Sequence, residues 1–162
     1  MKFLADAMLG KLARWLRMLG QDVIYSTQLE DDELLFKAEK ECRTLLTRDS
    51  ELFRRATARG VSVFYVKGRT EAEKLAGLSR FFSFPLKISL TRSRCPKCNA
   101  RIRSTYKELL VGKIEKNAFI NHDEFWECLS CGHIYWQGAH WDGIRATLEE
   151  AKKLKGSQLE FT

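Results

Sequence analysis

Two periods of apolar and polar positions alternate along residues 1–90, and each switch marks an element. Lys2 to Ala5 is a short strand-like run, after which Met8, Leu12, Trp15, Leu16 and Leu19 recur at helical spacing. Gly20 stands where a helix C-terminal cap belongs. Val23-Ile24-Tyr25 predicts a second strand, and a helix follows over 32–41 with Leu34, Leu35, Ala38 and Cys42 on its apolar side. Thr44 to Thr47 is a third strand, and the helix over 51–59 ends at Gly60. The unbroken apolar run Val61 to Val66 is a fourth strand, and a last helix over 71–82 stops before Pro85. Strands alternating with helices in this way predict an α/β fold, an open parallel sheet with helices on both faces and right-handed crossovers.

After Thr91 the pattern breaks. Arg92, Arg94, Lys97, Arg101, Arg103 and Lys107 arrive with no acid among them. Cysteine pairs, strand candidates at 125–127 and 133–137 and a helix over 142–155 complete the chain. The expected division is an α/β domain over 1–90 and a small cysteine-bearing module with a terminal helix over 91–162.

Composition narrows the class. Of 162 residues 44% are hydrophobic and 30% charged, with 2 Pro and 10 Gly, which excludes a disordered or collagenous chain. No apolar run approaches the roughly 18–20 residues of a membrane span. An acid already at Asp6 argues against a secretory leader, so the expected location is the reducing cytoplasm. A net charge of +7 suits a polyanionic partner.

In that setting cysteine pairs read as metal ligands. Cys95-Pro96-Lys97-Cys98 and Cys128-Leu129-Ser130-Cys131-Gly132 form two knuckles separated by 29 residues. Each C-x-x-C places two sulfurs on one turn, and Gly132 suits the positive φ such a turn demands. Four thiolates fill a tetrahedral shell, so the expected ion is a structural zinc in a zinc ribbon. A redox dithiol or four unrelated buried cysteines are the plainer alternatives, and His133 or His140 would have to displace a cysteine to bind. Cys42 reads as a buried small hydrophobe.

The acids carry the candidate chemistry. Asp6 ends the first strand, Asp49 follows the third in Leu45-Leu46-Thr47-Arg48-Asp49, and Glu30-Asp31-Asp32-Glu33 opens the second helix. Strand C-terminal ends gather at one edge of an open parallel sheet. Acids from three segments would converge there, and their repulsion calls for a hard cation, Mg²⁺ or Mn²⁺. Singly, Asp31 or Asp32 and Asp49 read better as helix caps than as ligands; three acids at one edge reverse that balance. Lys11, Arg14 and Arg17 recur along the first helix opposite its apolar stripe and, with Arg48, would hold flanking phosphates; the plainer reading is a solvated face. Trp126, Trp136 and Trp141 fit a ribbon core better than base stacking.

Phe3-Leu4-Ala5-Asp6, the stretch from Gly10 to Gly20, Asp31-Asp32-Glu33-Leu34-Leu35, Leu45 to Asp49, Arg94 to Asn99 and Cys131 to His140 occur in this order. Together they resemble the PIN-like ribonuclease family named after the C-terminal domain of the Mutator-seven exonuclease. The resemblance implies a PIN-like α/β nuclease core fused to a zinc ribbon, acting on RNA with a divalent metal. Position by position it makes Asp6 the first acid and Asp49 the acid of the T-R-D motif. It favours Asp31 as the middle acid, with Asp32 and Glu33 as auxiliary candidates; a fourth acid has no assigned position.

The expected function is therefore a metal-dependent ribonuclease, with RNA held by Lys11, Arg14, Arg17, Arg48, Arg101 and Arg103. The alternative is a non-catalytic RNA- or DNA-binding adaptor with a remnant acidic site. A phospho-accepting receiver domain fits poorly, because Ala5-Asp6-Ala7 offers one acid where receivers use a pair.

Overall fold

The computed structural model describes residues 1–157. A four-stranded parallel sheet is built from β1 (Lys2–Ala5), β2 (Asp22–Tyr25), β3 (Thr44–Thr47) and β4 (Val63–Tyr65), in the order β2-β1-β3-β4. Helices α1 (Gly10–Met18), α2 (Asp31–Lys40), α3 (Ser50–Ala58) and α4 (Glu71–Phe82) alternate with the strands as expected. In the central strand β1, Phe3, Leu4 and Ala5 are all 0% exposed, the continuous apolar run of a strand covered on both faces.

Side-chain alternation sorts the core into two layers. Phe3, Ala5, Val23 and Leu46 join α1 and α4 on one face. Leu4 and Leu45 join α2 and α3 on the other. The final helix, α5 (Trp141–Gly156), packs on the first face, with Leu148 and Ala151 inside that core. Its apolar stripe packs on α4, while Trp141 at its start donates its Nε1–H to Trp136 O of the cysteine module at 3.2 Å. The expected Asp142–Lys155 span is close to that observed.

The cysteine module is a three-stranded antiparallel sheet: β5 (Ile102–Thr105), β6 (Phe125–Cys128) and β7 (Ile134–Tyr135) in sequential order. Periodicity misses β5, which buries only Ile102 among polar neighbours. A six-residue helix over Lys116–Asn121, also unforeseen, lies between β5 and β6 and buries only Ala118. Trp126 packs against the cysteine cluster, consistent with a ribbon core. Cys42 is a correction. It is exposed, with φ +50, at the left-handed position that ends α2. Arg43 N–H donates to Ala38 O and Cys42 N–H to Glu39 O, the bonding of a Schellman cap. None of the helices described is long and apolar enough to cross a membrane.

Candidate functional site

From β1 the chain turns by way of α1 to β2 on one side, whereas from β3 it turns by way of α3 to β4 on the other. The C-terminal ends of β1 and β3 therefore flank the topological switch point, where open α/β sheets leave a crevice. Asp6 and Asp49 stand at these two ends. Asp6 is 5% exposed. Its Oδ1 accepts from Met8 N–H at 3.0 Å, and its Oδ2 accepts from the Thr47 hydroxyl at 2.5 Å and Arg48 N–H at 3.3 Å. Asp49 N–H donates to Thr47 Oγ1 at 2.9 Å, so the Thr47 proton is left to point at Asp6. Asp49 is exposed and caps α3, its Oδ1 accepting from Glu51 N–H at 2.7 Å and Leu52 N–H at 3.0 Å. One buried hydroxyl thus ties the Asp6 carboxylate to the backbone that presents Asp49.

The neighbouring acids make other bonds. Arg55 donates to Asp31 at 3.0 Å and to Asp32 at 2.6 Å, and Arg59 to Asp32 at 3.0 Å. Glu33 turns back to accept from Glu30 N–H at 2.9 Å. Asp31, Asp32 and Glu33 are not gathered with Asp6 and Asp49. The basic face of α3 neutralises Asp31 and Asp32, and Glu33 satisfies the start of its own helix. Lys11 and Arg14 are exposed on α1, which leads away from the Asp6 turn. Arg48 is half-buried, and its guanidinium donates to Gly68 O.

Among the described residues, Cys95, Cys98, Cys128 and Cys131 form the group of metal-ligating side chains able to hold an ion, with all sulfurs within 4.8 Å of one another. Cys95–Cys131 and Cys98–Cys128 sulfur separations are 3.7 and 3.3 Å. A tetrahedral site with metal–sulfur bonds of about 2.3 Å has sulfur edges of about 3.8 Å, so small shifts that even out the separations suffice to hold an ion. Gly132 has the expected positive φ, +70. Burial pushes the Cys98 thiol up to about 11. Burial also opposes ionisation at Cys128, but the N–H groups of Cys131 and Ser130, each 3.4 Å from its sulfur, and the Cys98 thiol outweigh it and bring it down to about 7. Burial and the Cys95 sulfur, 3.0 Å from its hydroxyl, hold half-buried Tyr135 well above the ordinary phenol range. The His133 ring lies tilted by 60° against Tyr135 with centroids 4.7 Å apart, and desolvation and Lys97 lower its pKa.

Arg17 departs from the sequence expectation. Predicted to face phosphates, it is 6% exposed and faces the first knuckle. Its Nε donates to Val23 O at 2.9 Å, and its Nη1 donates to Pro96 O at 2.8 Å and Lys97 O at 3.3 Å. Arg94 N–H returns a bond to Arg17 O at 2.9 Å. Asn99, φ +70, donates to Asp22 at 2.8 Å and accepts from Val23 N–H at 3.0 Å. Asp22 also pairs with Arg43 at 2.9 Å. Arg101 and Arg103 are exposed near the start of β5, with Arg103 3.5 Å from Glu127.

The family model for the Mut7-C RNAse domain matches residues 1–148, running through both the parallel sheet and the cysteine cluster. The chain belongs to that family. No curated protein and no solved structure matches it. Membership points to a ribonuclease type of function and to RNA as the substrate class. Two residues gain importance that sequence reasoning passed over. Thr47 was visible only as the first letter of T-R-D, and its hydroxyl ties the Asp6 carboxylate to the backbone that presents Asp49. Asn99 follows Cys98 at a left-handed position and ties the first knuckle to β2.

Proposed function

We propose that this chain is a divalent-metal-dependent ribonuclease that cleaves RNA phosphodiester bonds at the crevice between β1 and β3. The observation that carries this reading is the Asp6–Thr47–Asp49 link at the switch point. Mg²⁺ or Mn²⁺ fits the donors there, since Asp6 and Asp49 offer hard carboxylate oxygens and Asp49 is exposed. When bound, such an ion neutralises a phosphodiester and acidifies a water. Thr47 fixes the direction of the Asp6 carboxylate, and the Arg48 N–H keeps Asp6 at the mouth of the crevice. Asp31 serves as the third acid once released from Arg55, with Asp32 and Glu33 as auxiliaries. Lys11 and Arg14 hold phosphates beside the scissile one, and Arg101 and Arg103 bind the strand further along. The four cysteines hold a structural zinc, a chemistry at home in a reducing cytoplasm.

The pairing of Asp31 with Arg55 at 3.0 Å favours a second reading, an RNA- or DNA-binding adaptor whose acids are remnants. Asp49→Asn separates the two. Asn caps helices nearly as well as Asp, so fold and RNA affinity should persist. Cleavage of a labelled RNA with Mg²⁺ or Mn²⁺ should fall at least about 100-fold. Equal cleavage by wild type and variant refutes the nuclease site, and RNA bound but uncleaved by wild type selects the adaptor.

A further inference from the structure

We propose that Arg17 is part of the metal centre: its guanidinium is the counter-charge of the thiolate cluster and the clamp that holds the first knuckle on α1 and β2. This rests on the reading of the four cysteines as a zinc site. A buried arginine needs a reason to be there, because taking its charge from water is costly unless partners compensate. Here 6% of Arg17 is exposed, yet among the described residues no carboxylate is bonded to it. Its nitrogens donate to Val23 O, Pro96 O and Lys97 O. Three carbonyl dipoles orient the guanidinium without cancelling its charge. Burial lowers its pKa, and the nearby anions that work for the protonated form are first Cys95 and Cys98, which flank the two carbonyls it holds, and then, more weakly, Asp22.

Four thiolates around Zn²⁺ carry a net charge of about −2, so a cation beside the cluster lowers the electrostatic cost of assembling it. Pro96 and Lys97 lie between the ligands Cys95 and Cys98, so the same fork that brings the charge also sets the turn presenting their sulfurs. Hydrogen bonds of this outer kind orient ligands and tune metal affinity. Lysine cannot replace the fork, because its ammonium is a point donor that cannot serve carbonyls in two directions with fixed geometry. The separate tether through Asn99 carries no charge, which makes it the control.

The test measures zinc affinity by competition with a coloured chelator in full-length wild type, Arg17→Gln, Arg17→Lys and Asn99→Gly. Co²⁺-substituted spectra are recorded for each, and thermal melts confirm folding. Asn99→Gly eases the left-handed backbone while cutting the neutral tether. We expect Arg17→Gln to lose about 10- to 100-fold in zinc affinity and to shift the thiolate–cobalt charge-transfer band. Arg17→Lys should fall between it and wild type, and Asn99→Gly should keep the wild-type spectrum and affinity within about threefold. Zinc-bound wild type with Arg17 variants of equal affinity overturns this inference alone. So does Asn99→Gly losing as much as Arg17→Gln, which would mean general loosening of the knuckle. Wild type that binds no zinc overturns the zinc reading and this inference with it.

Discussion

Replacing Thr47 by Val tests whether one hydroxyl organises the crevice. The two side chains are nearly equal in shape, and Thr47 is 0% exposed, so the change exchanges a hydroxyl for a methyl without opening space. Lost are the bond donated to a carboxylate, about 1.5–3 kcal/mol, and the bond accepted from Asp49 N–H, about 1 kcal/mol. The added methyl returns about 0.8 kcal/mol. Asp6 Oδ2 keeps Arg48 N–H at 3.3 Å, a long bond that cannot replace the hydroxyl. The net cost is about 2–3 kcal/mol, or a melting temperature lower by about 5–10 °C for a chain of this size. Thr47→Ser keeps both bonds and deletes one methyl, for about 1 kcal/mol. Denaturant and thermal unfolding should therefore order the proteins wild type, Ser, Val. Because the Asp6 carboxylate loses its orienting donor, RNA cleavage by Thr47→Val should fall about 100-fold. A Val variant as stable as the Ser variant would refute the hydrogen-bond chain and its role in positioning Asp6.

Cys42→Gly should stabilise the protein by about 0.5–1 kcal/mol, read as a higher urea midpoint, since relief of the left-handed strain exceeds glycine's entropy cost. Burial works against ionised Asp22, but bonds from Arg43 and Asn99 and the charges of Arg43 and Arg94 outweigh it and depress its pKa. The stabilisation it contributes is therefore present above the unfolded value of about 3.9 and is lost as pH falls through the lower folded value. Unfolding midpoints for Asp22→Asn should accordingly show a shallower acid limb than wild type, and identical limbs would exclude this role. Chelation should release hydrogen-exchange protection in β5 to β7 while the amides of Leu148 and Ala151 stay protected, because these two residues lie in the core that α5 shares with α4. Simultaneous loss of both would show that the metal supports the whole chain.

Much of this protein is determined by local pattern. Strands β1 and β3 and helix α4 span the residues their periodicity predicts, because a parallel sheet covered on both faces demands continuous apolar runs and amphipathic helices between them. The four cysteines are legible for a similar reason: C-x-x-C places two sulfurs on one turn whatever the rest of the chain does. Strand β5 escapes the pattern because a half-buried strand needs few apolar residues when its partner supplies the ladder. What only the tertiary structure decides is which partner each charge takes. Lys11, Arg14 and Arg17 read alike along the helix, yet the knuckle docks where Arg17 lies and turns it from a surface cation into a buried clamp. Asp31 and Asp49 read as equivalent acids, but α3 brings Arg55 to Asp31, while the Thr47 hydroxyl joins Asp49 to Asp6. Charge and hydrogen bonding act across space at distances of a few ångströms, and segments far apart in sequence meet there only after the sheet and ribbon have packed.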